Sequence, residues 1–264
     1  MSERTSGGGE PVRVLVKAMA VLDQLAASPE PLTLGDIAAS LDLNKSTCYR
    51  ILNTLAAGDY VERPAPGTYR LGVGAFRIGS AMARRMGVRD RALPALQDLF
   101  RATGETVFLL VPHGTEAVCV ERLDGRYAAT HTLRIGGSLP LHLGAGPRLL
   151  LAAQPDEQVE SYLAGPFRQA EGADAGAADR LRAEIAEIRA AGHAVSQDDV
   201  EEGVRAISVP VRDHDHAVVA ALSISGLSAH LPDTELATQV GRLESAARAA
   251  SLALGMTEQP EGAR

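Results

Sequence analysis

The chain has 264 residues, enough for two domains of ordinary size, and its 45% apolar content is that of a globular protein. Only Cys48 and Cys119 are present, without metal-ligand spacing, and no apolar run approaches the ~20 residues of a membrane span. The net charge is −7 but unevenly spread: residues 1–92 carry 12 Lys and Arg against 9 Asp and Glu, a net +3, and the rest carries 14 against 24, a net −10. Such a split implies two parts with different partners.

The first residues, MSERTSGGGEP, lack an apolar core like that of a signal peptide and read as a disordered tail over 1–11. The expected location is the cytoplasm, with reduced thiols. From Val12 to about Ala27, apolar residues at Val16, Ala20, Val21, Leu22 and Leu25 predict a helix that packs behind the next two helices.

Residues 32–72 predict a winged helix-turn-helix. Thr33 and Asp36 have capping-box spacing, and Leu34, Ile37 and Leu41 give the next helix an apolar face. Asp42-Leu43-Asn44 fits the sharp turn, with Leu43 inward and Asn44 as N-cap. The second helix runs from about Lys45 to Leu55, burying Cys48, Ile51, Leu52 and Leu55. Its outer face carries Ser46, Tyr49, Arg50 and Asn53, with Lys45 and Thr47 near its start. Reading helices use that part against base edges: Arg suits guanine, Asn suits adenine, and hydroxyls suit phosphate or base. Polar faces on surface helices are common, and the flanking turn and hairpin tilt the reading toward DNA. Gly58 is placed at C′, and Tyr60–Arg63 and Thr68–Leu71 form a hairpin around Pro64-Ala65-Pro66-Gly67. Arg63 and Arg70 sit where a wing touches phosphate, or are solvated arginines. The domain spans 12–74. An excess of +3 is too small for one copy to hold DNA firmly, which points to two or more copies on paired half-sites.

A helical linker is expected over 75–91, with Ala75, Ile78, Met82 and Met86 at helical spacing. The basic run Arg84-Arg85 to Arg89-Arg91 reads as linker surface or as a strip along phosphates. A helix from about Asp90 to Ala102 leads into a domain over 92–258, followed by a tail at 259–264. Strands are predicted at Thr106–Pro112, Ala117–Arg122, Ala129–Ile135, Ala206–Val211 and Ala217–Ser225. Helices are predicted at Leu149–Ala153, Glu157–Leu163, Ala178–Ala191 and Asp233–Leu254. This is an α+β sheet domain.

Candidates for catalysis are thin. Asp213, His214, Asp215 and His216 suit a polar hairpin loop better than a metal site. Asp198, Asp199, Glu201 and Glu202 suit a charged loop better than an acid–base pair, and His142 either faces a pocket or packs. No nucleophilic triad or phosphate loop stands out. Neither catalysis, nor a metal, nor a cofactor is expected.

The stretch "DIAASLDLNKSTCYRILNTLAAGDYVE…TYRLG" resembles the DNA-binding pattern of the IclR family of bacterial transcription regulators. Similar matches occur in order: "TGETVFLL", "GGSLPLHLGAGPRLLLA", "EIRAAGHAVSQDDVEEGVRAISVPV" and "ALSISG". The resemblance runs from about Val12 to Gly255. It implies a winged helix-turn-helix joined by a helical linker to a GAF-like α/β effector-binding domain. It further implies dimers or tetramers on operator DNA, controlled by small organic acids or aromatic compounds. By motif it places Gly144, Ala145 and Gly146 near the ligand, their N–H groups forming an anion site before a helix. Val204 and Ala206 would line a wall, and Ser223 and Ser225, on one strand face, would donate to a carboxylate. Two departures fall in these motifs: Pro147 stands where the family usually has Gly, and Ser196 where it has Asp. A regulator whose C-terminal domain only oligomerises therefore remains an alternative.

Overall fold

The structure is a computed structural model describing residues 12–85, 87–125, 133–165, 167 and 176–257. The chain divides into two units, one ending at Arg85 and the next beginning at Met86. That boundary falls inside the stretch expected to be a linker. No helix among the described residues is long and apolar enough to cross a membrane. The tails expected at 1–11 and 259–264 lie outside the described residues.

The first unit contains α1 (Arg13–Ala27), β1 (Leu32–Thr33), α2 (Leu34–Ser40), α3 (Lys45–Ala57), β2 (Val61–Glu62), β3 (Thr68–Leu71) and α4 (Val73–Arg85). The capping box forms as its spacing predicts: Asp36 N–H donates to Thr33 Oγ1 at 3.2 Å, and Thr33 N–H to Asp36 Oδ2 at 3.0 Å. Asp42 turns the chain with φ 49°, a left-handed conformation that Asp tolerates better than most residues. Leu43 N–H then reaches Ala38 O at 2.9 Å, and Leu43 packs half-buried on the core. That core joins Val21 and Leu25 of α1 to Ile37 of α2 and to Cys48, Ile51 and Leu52 of α3. Asn44 occupies the N-cap position but makes no side-chain cap bond.

Two expectations change here. Gly58 is the C-cap of α3 with φ −101°, and the left-handed residue is Asp59, with φ 61°. The expected hairpin is a three-stranded sheet, β1-β3-β2, because Leu32 and Thr33 pair with Tyr69 and Thr68. The glycine at 72 is required by close approach: a Cβ there would lie 2.3 Å from the Asp59 carbonyl oxygen.

The second unit contains α5 (Val88–Thr103), β4 (Thr106–His113), β5 (Glu116–Leu123), β6 (Ser138–Pro140), α6 (Ala145–Ala152) and α7 (Asp156–Ala164). It continues with α8 (Ala177–Ala191), β7 (Ala194–Gln197), β8 (Val204–Arg212), β9 (Val218–Leu227) and α9 (Leu236–Ala253). The strands form one antiparallel sheet in the order β6-β5-β4-β9-β8-β7. Strand alternation sorts its residues between two cores. Val107, Leu109, Leu222 and Ile224 pack with Leu96 of α5 and Leu243 of α9. Phe108, Leu110 and Ala221 pack on the other face with Leu150 of α6 and Ile185 of α8. Helices thus cover both faces of a mixed helix-and-strand domain.

The strand expected at Ala129–Ile135 is not found where it can be checked. Residues 126–132 lie outside the described residues, Leu133–Ile135 is not strand, and among the described residues β6 at Ser138–Pro140 is the edge. The last helix begins at Leu236; Asp233–Glu235 is a 3-10 turn. In β5, Leu109 faces Glu121 and Leu110 faces Cys119, so Val120 is an extra residue, a β-bulge. Beyond it, Arg122 lies on the α6 side, where its guanidinium makes a cation–π contact with Phe108, 5.4 Å from the ring centroid. Glu121 lies on the α5 side, where Arg89 Nη2 reaches it at 2.7 Å.

Candidate functional site

The α3 helix buries Cys48, Ile51 and Leu52, so its outer side faces solvent by periodicity. Lys45, Ser46, Tyr49 and Arg50 are exposed there, and Thr47 and Asn53 are half-buried. Tyr49 is 46% exposed, an unusual placement for a large aromatic ring on a folded surface. The wing arginines are engaged within the unit. Arg63 donates to Asn53 Oδ1 and lies 5.3 Å from the Tyr69 ring centroid, and Arg70 pairs with Glu62. Asn53 therefore links the reading helix to the wing, which its position in the sequence did not indicate.

On the α6 face of the large sheet lies a cavity of about 530 Å³, its open mouth included. Gly144, Ala145 and Gly146 at the start of α6 line it, with Val204 and Ala206 of β8 and Ser223 and Ser225 of β9. These seven residues, singled out in three separate sequence segments, face one space. Phe108, Leu110, Leu133 and Leu139 give it an apolar wall, and Pro147, Ser196, Asp199, Val200 and Glu201 complete it. Gly146 is needed for the approach of α6 to the sheet: a Cβ there would meet Leu110 Cδ1 at 2.4 Å and Ser223 Oγ at 2.9 Å.

The start of α6 differs from an open anion site. Gly144 N–H donates to Asp199 Oδ2 at 3.1 Å, and Ala145 N–H donates to Ser196 Oγ at 3.1 Å. Pro147 has no N–H to offer. Arg148, the nearest cation on α6, binds Asp199 Oδ2 at 2.6 Å through Nη2 and the His142 carbonyl at 2.9 Å through Nε. The serines also differ from each other. Ser223 Oγ donates to Ser208 Oγ at 2.8 Å, which donates in turn to Leu222 O at 3.2 Å. Ser225, 8% exposed, has no side-chain partner among the described residues.

His142 packs beside the cavity without lining it. Its Nδ1 lies 2.7 Å from Tyr162 Oη, and its ring meets Phe167 edge-on at 5.1 Å between centroids. Burial, aided by the nearby Arg148 charge, holds its pKa below the ordinary histidine value. Asp213, His214 and Asp215 place their ligand atoms within 4.8 Å of one another. Asp213 Oδ1, however, accepts from Asp215 N–H at 3.0 Å and Ala217 N–H at 3.1 Å, the role of a turn-forming Asp.

Sequence reasoning missed Asp199, which it grouped with its acidic neighbours as loop. It noted Ser196 only for the acid it lacks. The oxygen atoms of both reach amides more than 50 positions away, and no local pattern encodes such a pairing.

The comparisons agree along the chain. The family model for the IclR helix-turn-helix domain matches residues 14–65, and the model for the bacterial transcriptional regulator IclR C-terminal domain matches 80–252. The HTH-type transcriptional regulator XynR of Escherichia coli K12 is 32% identical over 246 residues, covering 92% of this chain and 98% of that protein. The HTH-type transcriptional repressor AllR of the same strain is 30% identical over 261 residues, covering 96% of each. Among solved structures, an IclR homologue from Microbacterium hydrocarbonoxydans complexed with 4-hydroxybenzoate superposes with a TM-score of 0.77 at 26% identity, covering 91% of this chain and 98% of that one. A DNA-reading helix-turn-helix, a separate α/β unit with a cavity and these matches have one reading: the chain belongs to the IclR family of bacterial transcriptional regulators.

Proposed function

We propose that this regulator binds operator DNA through Lys45, Ser46, Thr47, Tyr49 and Arg50, with Asn53, Arg63 and Arg70 in support, and that a small metabolite in the C-terminal cavity sets its affinity for DNA. It acts in the cytoplasm, without catalysis. The observation that carries the ligand reading is the convergence of Gly144, Ala145, Gly146, Val204, Ala206, Ser223 and Ser225 on one cavity. The 4-hydroxybenzoate held by the Microbacterium homologue supports it by likeness. Ligand binding changes DNA affinity only through a difference in affinity for two arrangements of the protein.

A genome-wide binding map would supply the operator. Arg50→Ala should then weaken operator binding by about fivefold or more at fixed salt, in line with the ~1–3 kcal/mol of a base-reading arginine, and leave the melting temperature unchanged. Equal affinity of the variant and the parent protein would remove Arg50 from the reading face.

The protein works as a dimer, alone or paired into a tetramer. Leu15 and Met19 of α1 and Phe76 and Ile78 of α4 are each more than half exposed, with Phe76 at 73%. So many bare apolar side chains on one small unit mark a surface that another chain covers, and a second copy also doubles its small basic excess. Phe76→Lys with Leu15→Lys should shift the protein to a smaller species in sedimentation velocity. An unchanged sedimentation coefficient would assign assembly to other surfaces.

A further inference from the structure

The polar groups of the cavity bear on which ligands it accepts, and this inference rests on the ligand-control reading above. An anion bound at the start of a helix needs free N–H groups or a nearby cation. Here the chain's own oxygen atoms take most of the available donors. Asp199 takes the Gly144 N–H at 3.1 Å, Ser196 takes the Ala145 N–H at 3.1 Å, and Pro147 has none. The only amide donor of that first turn without an acceptor among the described residues is Gly146 N–H. Arg148, the cation nearest to serving as a counter-ion, is already bound to Asp199 at 2.6 Å and is 18% exposed.

The walls point the same way. Among the described residues the cavity has no basic lining side chain, and two of its lining residues, Asp199 and Glu201, are acidic. The remaining surface is apolar apart from the serines. Ser223 directs its hydrogen to Ser208, whereas the buried Ser225 hydroxyl and the hydrogen of Ser196, whose oxygen only accepts, have no acceptor among the described residues. A carboxylate brought here would lose its hydration, meet an acidic neighbour and find only a few neutral donors and no free cation among the lining residues, a poor exchange for a charged group. A neutral carbonyl oxygen has two lone pairs and needs no counter-ion; two donors satisfy it.

We infer that the cavity selects a small uncharged carbonyl compound, such as an amide, aldehyde, ketone or lactone, over the corresponding carboxylate. Gly146 N–H and Ser225 Oγ–H hold the carbonyl oxygen, and Phe108, Leu110 and Leu139 enclose the apolar body. Asp199 acts as a built-in anion that occupies the place a ligand carboxylate would take.

The test uses the full-length protein and matched pairs: acetamide and acetate, isobutyramide and isobutyrate, benzamide and benzoate, 4-hydroxybenzamide and 4-hydroxybenzoate. Melting temperature is screened first, then affinity is measured by titration calorimetry at pH 7.5, with benzylamine as the cationic control. In a pair that binds, the amide should be at least tenfold tighter than the acid. In Asp199→Asn, which removes the carboxylate charge paired with Arg148 at the cavity, the acid of that pair should gain at least tenfold. Equal or tighter binding of the acid to the parent protein overturns the inference and leaves ligand control standing. So does tightest binding by benzylamine. Binding of no compound by either protein overturns the inference together with the ligand-control reading. If Asp199→Asn does not fold, the amide-to-acid ratio in the parent protein decides alone.

Discussion

Replacing Gly146 with Ala should destabilise the C-terminal unit, although the same change usually stabilises a helix. The added methyl would lie 2.4 Å from Leu110 Cδ1 and 2.9 Å from Ser223 Oγ. Carbon atoms prefer ~3.5–4.0 Å, so Leu110 must retreat by more than ~1 Å. Leu110 and Ser223 are each 3% exposed and sit between sheet and helix, so the retreat disturbs their packing and displaces the cavity wall they form. Overfilling of this kind costs ~1–3 kcal/mol, and the entropy advantage of Ala over Gly returns at most ~1 kcal/mol. A net loss of ~1–2 kcal/mol is expected. With a urea m-value of ~2 kcal/mol/M, the midpoint of the C-terminal transition should fall by ~0.5–1 M. Gly241→Ala on α9 is the control. Nothing lies within 4 Å of its added Cβ, so this variant should gain up to ~1 kcal/mol. Urea unfolding followed by circular dichroism reads both. Gly146→Ala as stable as the parent protein would refute the claim that α6 rests on the sheet through that glycine.

The pKa of His142 is lowered by burial and by Arg148, so the folded state prefers the neutral ring. The stability it contributes is complete above the unfolded value of ~6.5 and is lost as pH falls through the folded value. His142→Phe, which keeps the ring against Phe167, should flatten the fall in melting temperature between pH 7.5 and 5; an identical pH profile would dismiss the histidine as its source. Cys119 is fully buried, and burial pushes its thiol pKa up to about 12. Cys48 is also buried, with its pKa raised for the same reason. Neither should react with an aromatic disulfide reagent at pH 8 until the chain unfolds, because the thiolate is the reactive form. Rapid labelling of the folded protein would contradict that burial.

How much of this could be read from the sequence depended on the range of the interaction. The Thr33 and Asp36 capping pair, the apolar face of α3 and the long α8 helix are local, and spacing alone located them. The Gly58 expectation failed because glycine is the usual left-handed residue, whereas here Asp59 takes that conformation and Gly58 lies beside the Tyr60 ring, 3.0 Å from an added Cβ. The strands β1 and β7 have two and four residues, too short to show alternation, and exist because β3 and β8 offer them partners. Of the strand expected at Ala129–Ile135, residues 129–132 lie outside the described residues and Leu133–Ile135 is not strand, whereas β5 pairs with Ser138–Pro140, past the run of β-formers. In the cavity, residue types at familiar motif positions indicated the lining. The occupancy of its hydrogen-bond donors depended on Ser196 and Asp199, and only the folded chain brings these to α6.

The bulge at Val120 also sorts charge. In a regular strand, Glu121 would point toward Phe108 and the cavity side, and Arg122 would point at Arg89 beneath α5. Two cations would then share the buried side of one helix, and a carboxylate would lie against an aromatic face with no partner. The one surplus residue exchanges those positions, so each charge meets its complement. It also makes Val120 dispensable to the pattern: a strand lacking it alternates without interruption and keeps every remaining β5 side chain on its present face.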